Sequence, residues 1–382
     1  MTQEELQAQF GFTAPDLSGA ETATELAGNA LQFDHEDYID LEAISYGISQ
    51  LTNKPGKKAS CKELSVNGKV INDRMDKYLA HAGESSSALK EALKSPRHYL
   101  IYKNENLKPK DESHFTLGTF IHSAFLEPNK FNKVKVLPEA GKNTLEGVRT
   151  LIKFYWTLLQ VEQSDDLSGL TMLQLKEILS GLEEDAAAEG YTFIKQEDAD
   201  IIRIIKSSYM TYANGIIPLL VKNGRTETSM YGVDKETGLK VKIRPDCMLL
   251  EEQVGANIIL SVKTTSATTI EAFMRDAAKF RYELAEGMYL QVASEITGRH
   301  FSGTIMLVAQ TVIPFQCFLL WLDAEDLQIG KYKYRQALDV VKQAKETNRY
   351  PGFECYAEDG SFGLITARFP DYIKNEVNPQ NI

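Results

Sequence analysis

The stretch from Arg244 to Thr265 contains residue types that could act on a phosphodiester. Two apolar runs of strand length flank a polar turn; Asp246 lies in the first run, and Ser261 and Lys263 interrupt the second. If the runs pair as neighbouring strands, the three side chains can lie close together. A carboxylate can bind a hard divalent cation, and an ammonium group can offset negative charge on a phosphate. The alternative is that Lys263 only extends its charge to solvent.

The segment that precedes Asp246 predicts a β-hairpin with a second carboxylate. Two alternating segments flank a turn at residues 234–238. Pairing about Glu236 sets Glu227 opposite residue 245 or 246, and directly opposed residues share a face of the sheet. Glu227 is therefore a candidate neighbour of Asp246. The alternative is a solvated glutamate on the edge of a sheet.

A histidine on a predicted helix could join this group. Residues 116–131 form an apolar helix in which Gly118 and His122 are four residues apart, so that both lie on one face. A lone histidine on an apolar helix is more often a hydrogen-bonded core residue than a ligand. By itself, therefore, the pattern leaves both roles open for His122.

In their order along the chain, these motifs resemble the nucleases of the PD-(D/E)XK, or restriction-endonuclease-like, superfamily. Pro245-Asp246 followed by Ser261-Val262-Lys263 is similar to their Pro-Asp…(Asp/Glu)-x-Lys core. From about residue 75 to 355 the chain more closely resembles the phage and prophage recombination exonucleases related to exodeoxyribonuclease VIII. The Gly118-x-x-x-His122 helix and the run Ser95-Pro96-Arg97-His98-Tyr99 match that family. One position departs, since Ser261 stands where the pattern has an acid.

The resemblance implies an α/β fold in which a mixed central β-sheet is flanked by helices. It also implies a metal-dependent DNA exonuclease that hydrolyses phosphodiester bonds at double-stranded ends and feeds a single-strand annealing recombinase. Members of the family commonly form closed rings, so a homo-oligomer is expected. Mg²⁺ or Mn²⁺ would be the cofactor, because both ions favour oxygen ligands.

The resemblance also implies roles for residues around the metal ion. Asp246 would be the anchoring ligand, and the backbone carbonyl of Val262 would add another. His122 would complete or orient the site. Lys263 would be the positioned cation that lowers the pKa of the attacking water and offsets charge in the transition state.

Ser261 leaves three interpretations open, because a neutral hydroxyl is a weak ligand for Mg²⁺. In the first, the acid has migrated, as in some restriction enzymes of the superfamily that take a glutamate from the following helix. Glu227 is one candidate source; the others are Glu271, Glu283 and Glu286 on that helix. In the second, the site is degenerate and the protein is a DNA-binding or scaffold protein. In the third, the serine is a deliberate inactivating substitution.

Several residues are candidates for contacts with DNA. A long helix is predicted from Ile270 to about Gly298. In the family, a glutamine and then a tyrosine on this helix meet the DNA; Tyr289 matches, but Ala285 stands in place of the glutamine. A predicted helix at residues 331–349 holds six basic and two acidic residues, although such a face is often merely solvated. The DNA-binding candidates are Thr264, Thr265, Arg281, Tyr282, Tyr289, Lys331, Lys333 and Arg335.

Acidic residues concentrate near the N-terminus. The net charge is −11, but the first 53 residues hold ten Asp or Glu and no Lys or Arg, so the remainder is nearly neutral. Such a block predicts a solvated or weakly ordered arm; the alternative is DNA mimicry or docking on a partner, as in an inhibitor-like protein. The predicted division is an acidic arm and linker at 1–73, a nuclease-like domain at 74–355 with a helical insertion at about 142–190, and a tail at 356–382.

Composition argues against several other classes of protein. Hydrophobic residues make up 43% and charged residues 25%, as in soluble globular proteins. No apolar run approaches the roughly 20 residues of a membrane span. The N-terminus also lacks the pattern of a secretory signal, so a cytoplasmic protein with no membrane partner is expected. The four cysteines form no Cys-x-x-Cys pair, which argues against a zinc or iron–sulfur site.

Overall fold

The computed structural model describes residues 37–104, 117–161 and 166–368 of the chain. In this part of the chain, the strands form a five-stranded, a three-stranded and a two-stranded sheet. In chain order they are β1 (Lys69–Ile71), β2 (Val134–Val136), β3 (Thr192–Ile194), β4 (Arg225–Thr226), β5 (Ser229–Val233), β6 (Lys240–Ile243), β7 (Cys247–Leu249), β8 (Asn257–Thr265), β9 (Phe301–Gln310) and β10 (Cys317–Trp321).

The helices of the described residues vary from a single turn to more than six turns. They are α1 (Leu41–Ser49), α2 (Cys61–Leu64), α3 (Met75–Ala80), α4 (Ser86–Ala92), α5 (Pro96–Lys103), α6 (Leu117–Leu126), α7 (Pro128–Phe131), α8 (Leu145–Leu159), α9 (Met172–Ala188), α10 (Gln196–Thr211), α11 (Ile216–Asn223), α12 (Glu251–Val254), α13 (Ile270–Lys279), α14 (Tyr282–Thr297) and α15 (Ala324–Thr347). Together with the sheets, they confirm the predicted mixed α/β class.

The five-stranded sheet has the order β10-β9-β8-β7-β4 and is mixed. β8 and β9 run parallel, and the other neighbouring strands are antiparallel. β9 is buried along its whole length, as is β8 over its first six residues, which is typical of strands covered on both faces. The two apolar runs of the motif are β7 and β8, so their predicted pairing is confirmed. Asp246 directly precedes β7.

Between β4 and β5 the chain passes from the five-stranded sheet to the three-stranded sheet, and Glu227 lies at this point. β4 pairs with β7 in the five-stranded sheet, whereas β5 pairs with β6 in the three-stranded sheet. Thr226 opposes Cys247, and next to this pair the N–H of Glu227 donates to the carbonyl of Asp246 at 3.1 Å. The predicted opposition of Glu227 and residue 246 is therefore confirmed, although the predicted single hairpin is divided between two sheets.

Helices pack on the five-stranded sheet through one large apolar cluster. Its buried members include Phe125 of α6 and Leu260 of β8, and burial of a side chain of this size contributes roughly 1.5–3 kcal/mol. Ile44 of α1, which is 1% exposed, belongs to the same cluster. Residues 41–49 of the predicted weakly ordered arm are therefore a docked helix. Residues 1–36 of that arm lie outside the described residues.

The segment predicted as a helical insertion forms an apolar cluster of its own. α8 and α9 pack together through buried side chains such as Leu151 and Leu175. Thr144 and Thr171 cap the two helices by accepting hydrogen bonds from backbone N–H groups of their first turns. The predicted helical character of this segment is confirmed.

The helix predicted from Ile270 to about Gly298 is instead two helices, α13 and α14. Arg281 separates them in a left-handed backbone conformation with φ +51°. Residues other than glycine adopt this conformation only at a cost in free energy. Neither glycine nor proline marks the break, so the sequence pattern gave no sign of it. The break sets the direction in which α14 approaches β8.

The described residues divide into two compact units. One comprises residues 37–85, 117–161 and 166–333 and contains all three sheets. The other comprises residues 86–104 and 334–368; within it, the N–H of Arg97 in α5 donates to the carbonyl of Pro351 at 3.0 Å. Among the helices described, none combines the length and apolar character that a membrane crossing requires.

Candidate active site

Three side chains from separate parts of the chain converge beside β8. His122 lies on α6, Glu227 lies between β4 and β5, and Asp246 precedes β7. His122 Nε2 is 3.1 Å from Asp246 Oδ1 and 3.5 Å from Glu227 Oε1. One potential ligand atom from each residue lies within 4.8 Å of the other two. The fold thus brings together three of the predicted metal-site residues.

Asp246 is hydrogen-bonded at both carboxylate oxygens. Oδ1 bonds to His122, and Oδ2 accepts a 2.6 Å hydrogen bond from the N–H of Val262 in β8. Burial acts to raise the pKa of Asp246, but the bond to His122 and the charge of Lys263 outweigh it, so that the pKa is lowered. Asp246 is therefore ionised at neutral pH. Val262 contacts it through its N–H; a ligand role for the Val262 carbonyl stays a prediction.

Glu227 adopts a left-handed backbone conformation, with φ +53°, which is unusual for a residue other than glycine. Its Oε2 accepts a 2.8 Å hydrogen bond from Arg244 Nε, while Oε1 faces His122. Burial raises the pKa of Glu227, although Arg244 and His122 act to lower it. Burial lowers the pKa of His122, but its contact with Asp246 outweighs this effect and raises the pKa. The charge states of the cluster are therefore mutually dependent.

Arg244 connects the cluster to the neighbouring strands. It is 8% exposed, and its Nη1 group donates to the Asp73 carboxylate at 3.2 Å and to the Ser229 hydroxyl at 2.7 Å. Tyr231 donates to the other oxygen of Asp73 at 2.6 Å. A planar guanidinium can make this fork of hydrogen bonds, whereas an ammonium cannot. Arg244 stood beside the motif in the sequence, but no pattern predicted its contact with Glu227 or singled out Asp73.

A buried carboxylate from α14 lies beside Ser261. The Ser261 hydroxyl donates to Glu286 Oε2 at 2.7 Å, and Lys263 Nζ is 3.2 Å from Glu286 Oε1. Glu286 is fully buried. Burial lowers the pKa of Lys263, but the negative charges of Glu286 and Asp246 outweigh it and raise the pKa. Lys263 is therefore an ammonium at neutral pH.

The other two glutamates proposed as substitutes for the motif acid lie elsewhere. Glu283 Oε1 is 2.8 Å from Lys333 Nζ, and Glu271 is exposed in the first turn of α13. Among the three helix glutamates, Glu286 alone contacts Ser261. It is not part of the cluster formed by His122, Glu227 and Asp246, so a role for Glu286 as a direct metal ligand stays a prediction.

The candidate DNA-binding residues near β8 differ in exposure. The centre of the Tyr282 ring is 5.1 Å from Lys263 Nζ, which places this tyrosine next to the cluster. Thr264 is half-buried, and Thr265 is 8% exposed with its hydroxyl accepting from a backbone N–H. Arg281 lies at the break between α13 and α14, and Tyr289 lies two turns into α14. Their contacts with DNA stay predictions.

The basic residues of α15 make contacts within the protein. Lys331 Nζ is 4.5 Å from the centre of the Tyr38 ring, and Lys333 Nζ bonds to Glu283. Arg335 lies on the same helix but in the other compact unit. The predicted DNA contact of this helix therefore has to compete with internal partners at Lys331 and Lys333.

The donor atoms of the cluster suit a hard divalent cation. Asp246 and Glu227 each offer a carboxylate oxygen, and His122 offers an imidazole nitrogen, all near enough for one ion to bridge them. Mg²⁺ and Mn²⁺ bind such oxygen-rich sets. The two carboxylates also lie close together in a partly buried site, where a cation would offset their mutual repulsion.

Comparison with known proteins gives a family match and several structural likenesses, two of which follow. The model of the "PDDEXK-like domain of unknown function (DUF3799)" matches residues 85–358, more than two thirds of the chain. No curated protein matches the chain. A solved "putative exonuclease" from Eubacterium rectale is similar over 80% of this chain and 98% of its own, with TM-score 0.40 and 13% identity. SSO0001 is similar over 58% of this chain and 86% of its own, with TM-score 0.20 and 12% identity.

The family match includes the three cluster residues together with Lys263 and Glu286. The first of these five residues in the chain is His122 and the last is Glu286, and both lie within residues 85–358. The resemblance to the PD-(D/E)XK superfamily, first indicated by Pro245-Asp246 and Lys263, is thereby confirmed, as is the restriction-endonuclease-like fold. The chain belongs to the PDDEXK-like domain family DUF3799.

Proposed function

We propose that this protein is a divalent-metal-dependent deoxyribonuclease with its active site at His122, Glu227, Asp246, Lys263 and Glu286. The observation that carries the proposal is the convergence of a three-residue ligand set and a buried ammonium group from separate segments of the chain. Phosphodiester hydrolysis uses both kinds of group, because negative charge develops on the phosphate as water attacks. Membership of a PDDEXK-like family supports the proposal.

Each residue of the site has a distinct role in this proposal. Asp246, Glu227 and His122 would hold Mg²⁺ or Mn²⁺, and the bound ion would neutralise phosphate charge and acidify water. Lys263 would present its ammonium group to the phosphate. Glu286 keeps Lys263 charged and oriented, and it supplies from α14 the acid that the motif lacks. The Ser261 hydroxyl fixes that carboxylate by its hydrogen bond.

We further propose that the substrate is an end of double-stranded DNA, processed during phage-type homologous recombination. The resemblance to exonucleases related to exodeoxyribonuclease VIII over about residues 75–355 supports this proposal. The same resemblance supports a single-strand annealing recombinase as partner, a ring-shaped homo-oligomer and a nuclease domain at residues 74–355. A cytoplasmic location would follow from that role.

A catalytically degenerate DNA-binding protein is the second candidate function. It is favoured by one observation: the Glu286 carboxylate already pairs with Ser261 and Lys263 and lies outside the three-residue ligand cluster. In that case the fold would hold DNA without cleaving it. The two candidates differ in one measurable property, the hydrolysis of DNA in the presence of a divalent ion.

The deciding experiment incubates the full-length protein with linear and closed-circular duplex DNA in Mg²⁺, Mn²⁺ or EDTA. The nuclease proposal predicts that metal supports digestion of the linear DNA and leaves the closed circle intact. Asp246→Asn and Lys263→Ala should each reduce the rate at least about 100-fold, since each removes charge that acts in the transition state. Lys176→Ala, on the exposed side of α9, is the matched control and should digest DNA at the wild-type rate.

Two results would decide against the nuclease proposal. Binding of duplex DNA without digestion in either metal would favour the degenerate protein. Digestion that persists in Lys263→Ala and Asp246→Asn would place the activity at another site. Cleavage of the closed circle would support nuclease activity but would show that the enzyme does not require a DNA end.

A further inference from the structure

A cleft of about 500 Å³ lies beside the candidate active site and has no part in the chemistry described above. Thr226 and Thr228 line it, and these residues directly flank Glu227 in the chain. Phe125, which is three residues after His122 on α6, also lines it. Residues of α6 and of the segment 226–228 therefore contribute to both the cleft and the metal cluster. Its volume is within the range of cavities that bind small ligands.

The cleft is cationic, although the protein as a whole is acidic. Lys58, Lys222 and Arg225 line it, and none of its described lining residues is an Asp or Glu. Lys222 is exposed on the last turn of α11. Three positive charges with no lining carboxylate form a local excess, since acidic and basic residues are nearly equal in number after residue 53. Such a concentration of charge favours an anionic ligand.

Lys58 and Arg225 donate hydrogen bonds to backbone carbonyls and to one cysteine sulfur. Lys58 donates to the carbonyl of Gly224, and the Arg225 guanidinium donates to the carbonyl of Ala59 at 2.7 Å and to Cys61 Sγ at 2.8 Å. The Nε–H of Arg225 is buried and has no hydrogen-bond partner among the described residues. Burial lowers the pKa of Lys58, and the charge of Arg225 lowers it further. Among the residues that the structure describes, no carboxylate lines the cleft beside these positive charges.

We propose that this cleft binds a phosphate group of the DNA strand whose cleavage takes place at the adjacent metal cluster. The proposal rests on the proposed nuclease function for the identity of the strand. Lysine and arginine are the residues that bind phosphate through charge-assisted hydrogen bonds. Thr226 adds a neutral hydroxyl of the kind found at phosphate contacts, whereas the buried Thr228 hydroxyl already donates within the protein. The cleft would fix the position of the strand relative to Asp246 and Glu227.

The test measures DNA affinity against salt concentration for the full-length protein in excess EDTA, where no cleavage occurs. Loss of one phosphate contact lowers the slope of log affinity against log salt by about 1. Lys222→Ala and Lys58→Ala should each show this reduction. Lys176→Ala, an exposed helical lysine away from the cleft, should keep the wild-type slope. Unfolding temperatures of all three variants identify any change of fold; Lys222 is exposed, so its replacement should leave the fold intact.

Unchanged slopes in both Lys222→Ala and Lys58→Ala would overturn the proposal, as would a wild-type protein that does not bind DNA. Titration with inorganic phosphate, followed by the unfolding temperature, tests whether the cleft binds a free phosphate ion and not a phosphate of DNA. Stabilisation of the wild type but not of Lys222→Ala, with unchanged DNA slopes, would assign the cleft to a free anion and also overturn the proposal. Because these binding assays contain no metal, failure of the nuclease function gives a separate result: reduced slopes in the two variants, but no digestion by the wild type in the metal-containing assay.

Discussion

Glu286 and Lys263 form a buried ion pair at the position where the motif lacks its acid. Glu286 is fully buried and the Lys263 side chain is 16% exposed. Removal of one partner of a buried pair leaves the other charge uncompensated, which typically costs about 3–5 kcal/mol. We therefore expect the pair to matter for stability and, in the proposed mechanism, for the charge that Lys263 would present to a phosphate.

Replacement of the carboxylate tests this role. Glu286→Gln keeps the size of the side chain but removes its charge, so Lys263 loses one of the two carboxylates that raise its pKa. We expect at least about a 100-fold loss of nuclease rate, together with a lower unfolding temperature. Ser261→Ala removes one hydrogen bond, worth about 1 kcal/mol, and should have a much smaller effect on both measurements.

A double substitution provides the stricter control. Ser261→Glu combined with Glu286→Ser returns the acid to the strand position of the family motif. If position 261 and α14 supply the same carboxylate, the double variant should regain part of the rate that Glu286→Ser alone loses. Wild-type activity in Glu286→Gln would show that the acid of α14 has no part in the reaction.

Arg244 should control metal affinity through Glu227. Arg244→Lys keeps the charge but replaces two donor nitrogens, Nε toward Glu227 and Nη1 toward Asp73 and Ser229, with one ammonium nitrogen that cannot occupy both positions. Loss of an outer partner of a metal ligand typically weakens metal binding about 10- to 100-fold. Titration calorimetry with Mn²⁺, in the absence of DNA, measures this change directly.

The matched control for this prediction is Arg299→Lys. Arg299 also pairs with a glutamate, Glu252, at 2.8 Å, but this pair is more exposed and outside the cluster. Its replacement should leave the affinity for Mn²⁺ unchanged. Equal affinities in the wild type and Arg244→Lys would show that Arg244 does not position Glu227.

At the scale of elements, the position of α14 depends on a close approach to α15. A Cβ atom added to Gly287 would lie 2.3 Å from the carbonyl carbon of Gly330 and 2.3 Å from the backbone N of Lys331. Both contacts are with backbone, which cannot rotate away. Gly287 follows Glu286, so any shift of α14 at this point moves the carboxylate beside Ser261.

Gly287→Ala should therefore lower stability and activity together. Overpacking of this kind typically costs about 1–3 kcal/mol, and displacement of Glu286 should reduce the nuclease rate. Gly181→Ala is the matched control, because nothing lies within 4 Å of the added Cβ and the residue is also inside a helix, α9. The control should be neutral or raise the unfolding temperature, since alanine favours helix over glycine by about 1 kcal/mol. Equal effects of the two substitutions would contradict the proposed close approach.

The sequence predicted those parts of the site that depend on strand alternation. The pairing of β7 with β8 and the opposition of Glu227 and Asp246 follow from period-two patterns and a short turn. The choice of Glu286 over Glu283 could not be predicted, because it depends on the rotation of α14 against the sheet. The left-handed Arg281 that ends α13 also had no local signal. Tertiary packing determines both features.

The prediction of weak order, which was based on local composition, was wrong for residues 41–49. Their acidic surroundings predicted weak order, but the docking of α1 depends on a few apolar side chains, of which Ile44 is nearly fully buried. The roles of Arg244 and Asp73 were not predicted for a related reason. Their contacts join segments that are far apart in the chain, and the spacing of residues in the sequence does not predict such contacts.

For the whole molecule, the distribution of charge predicts the effect of a truncation. Residues 1–36 include seven Asp or Glu and no Lys or Arg, whereas Ile44 makes α1 part of the core. Deletion of residues 1–36 should therefore preserve the fold and strengthen DNA binding, most clearly at low salt, where charge repulsion is least screened. Binding isotherms of both proteins at two salt concentrations measure this effect. Weaker DNA binding after the deletion would contradict simple repulsion by the arm.

The acid beside Ser261 comes from α14. Its place in the sequence therefore depends on which residue of the helix faces Ser261, and not on the alternation of residues along β8. Surveys that require an acid two places before the motif lysine would discard such a chain as inactive. Surveys that compare side chains in space would retain it. Relatives with serine at this place are therefore best sorted by whether a glutamate occupies the equivalent turn of the helix.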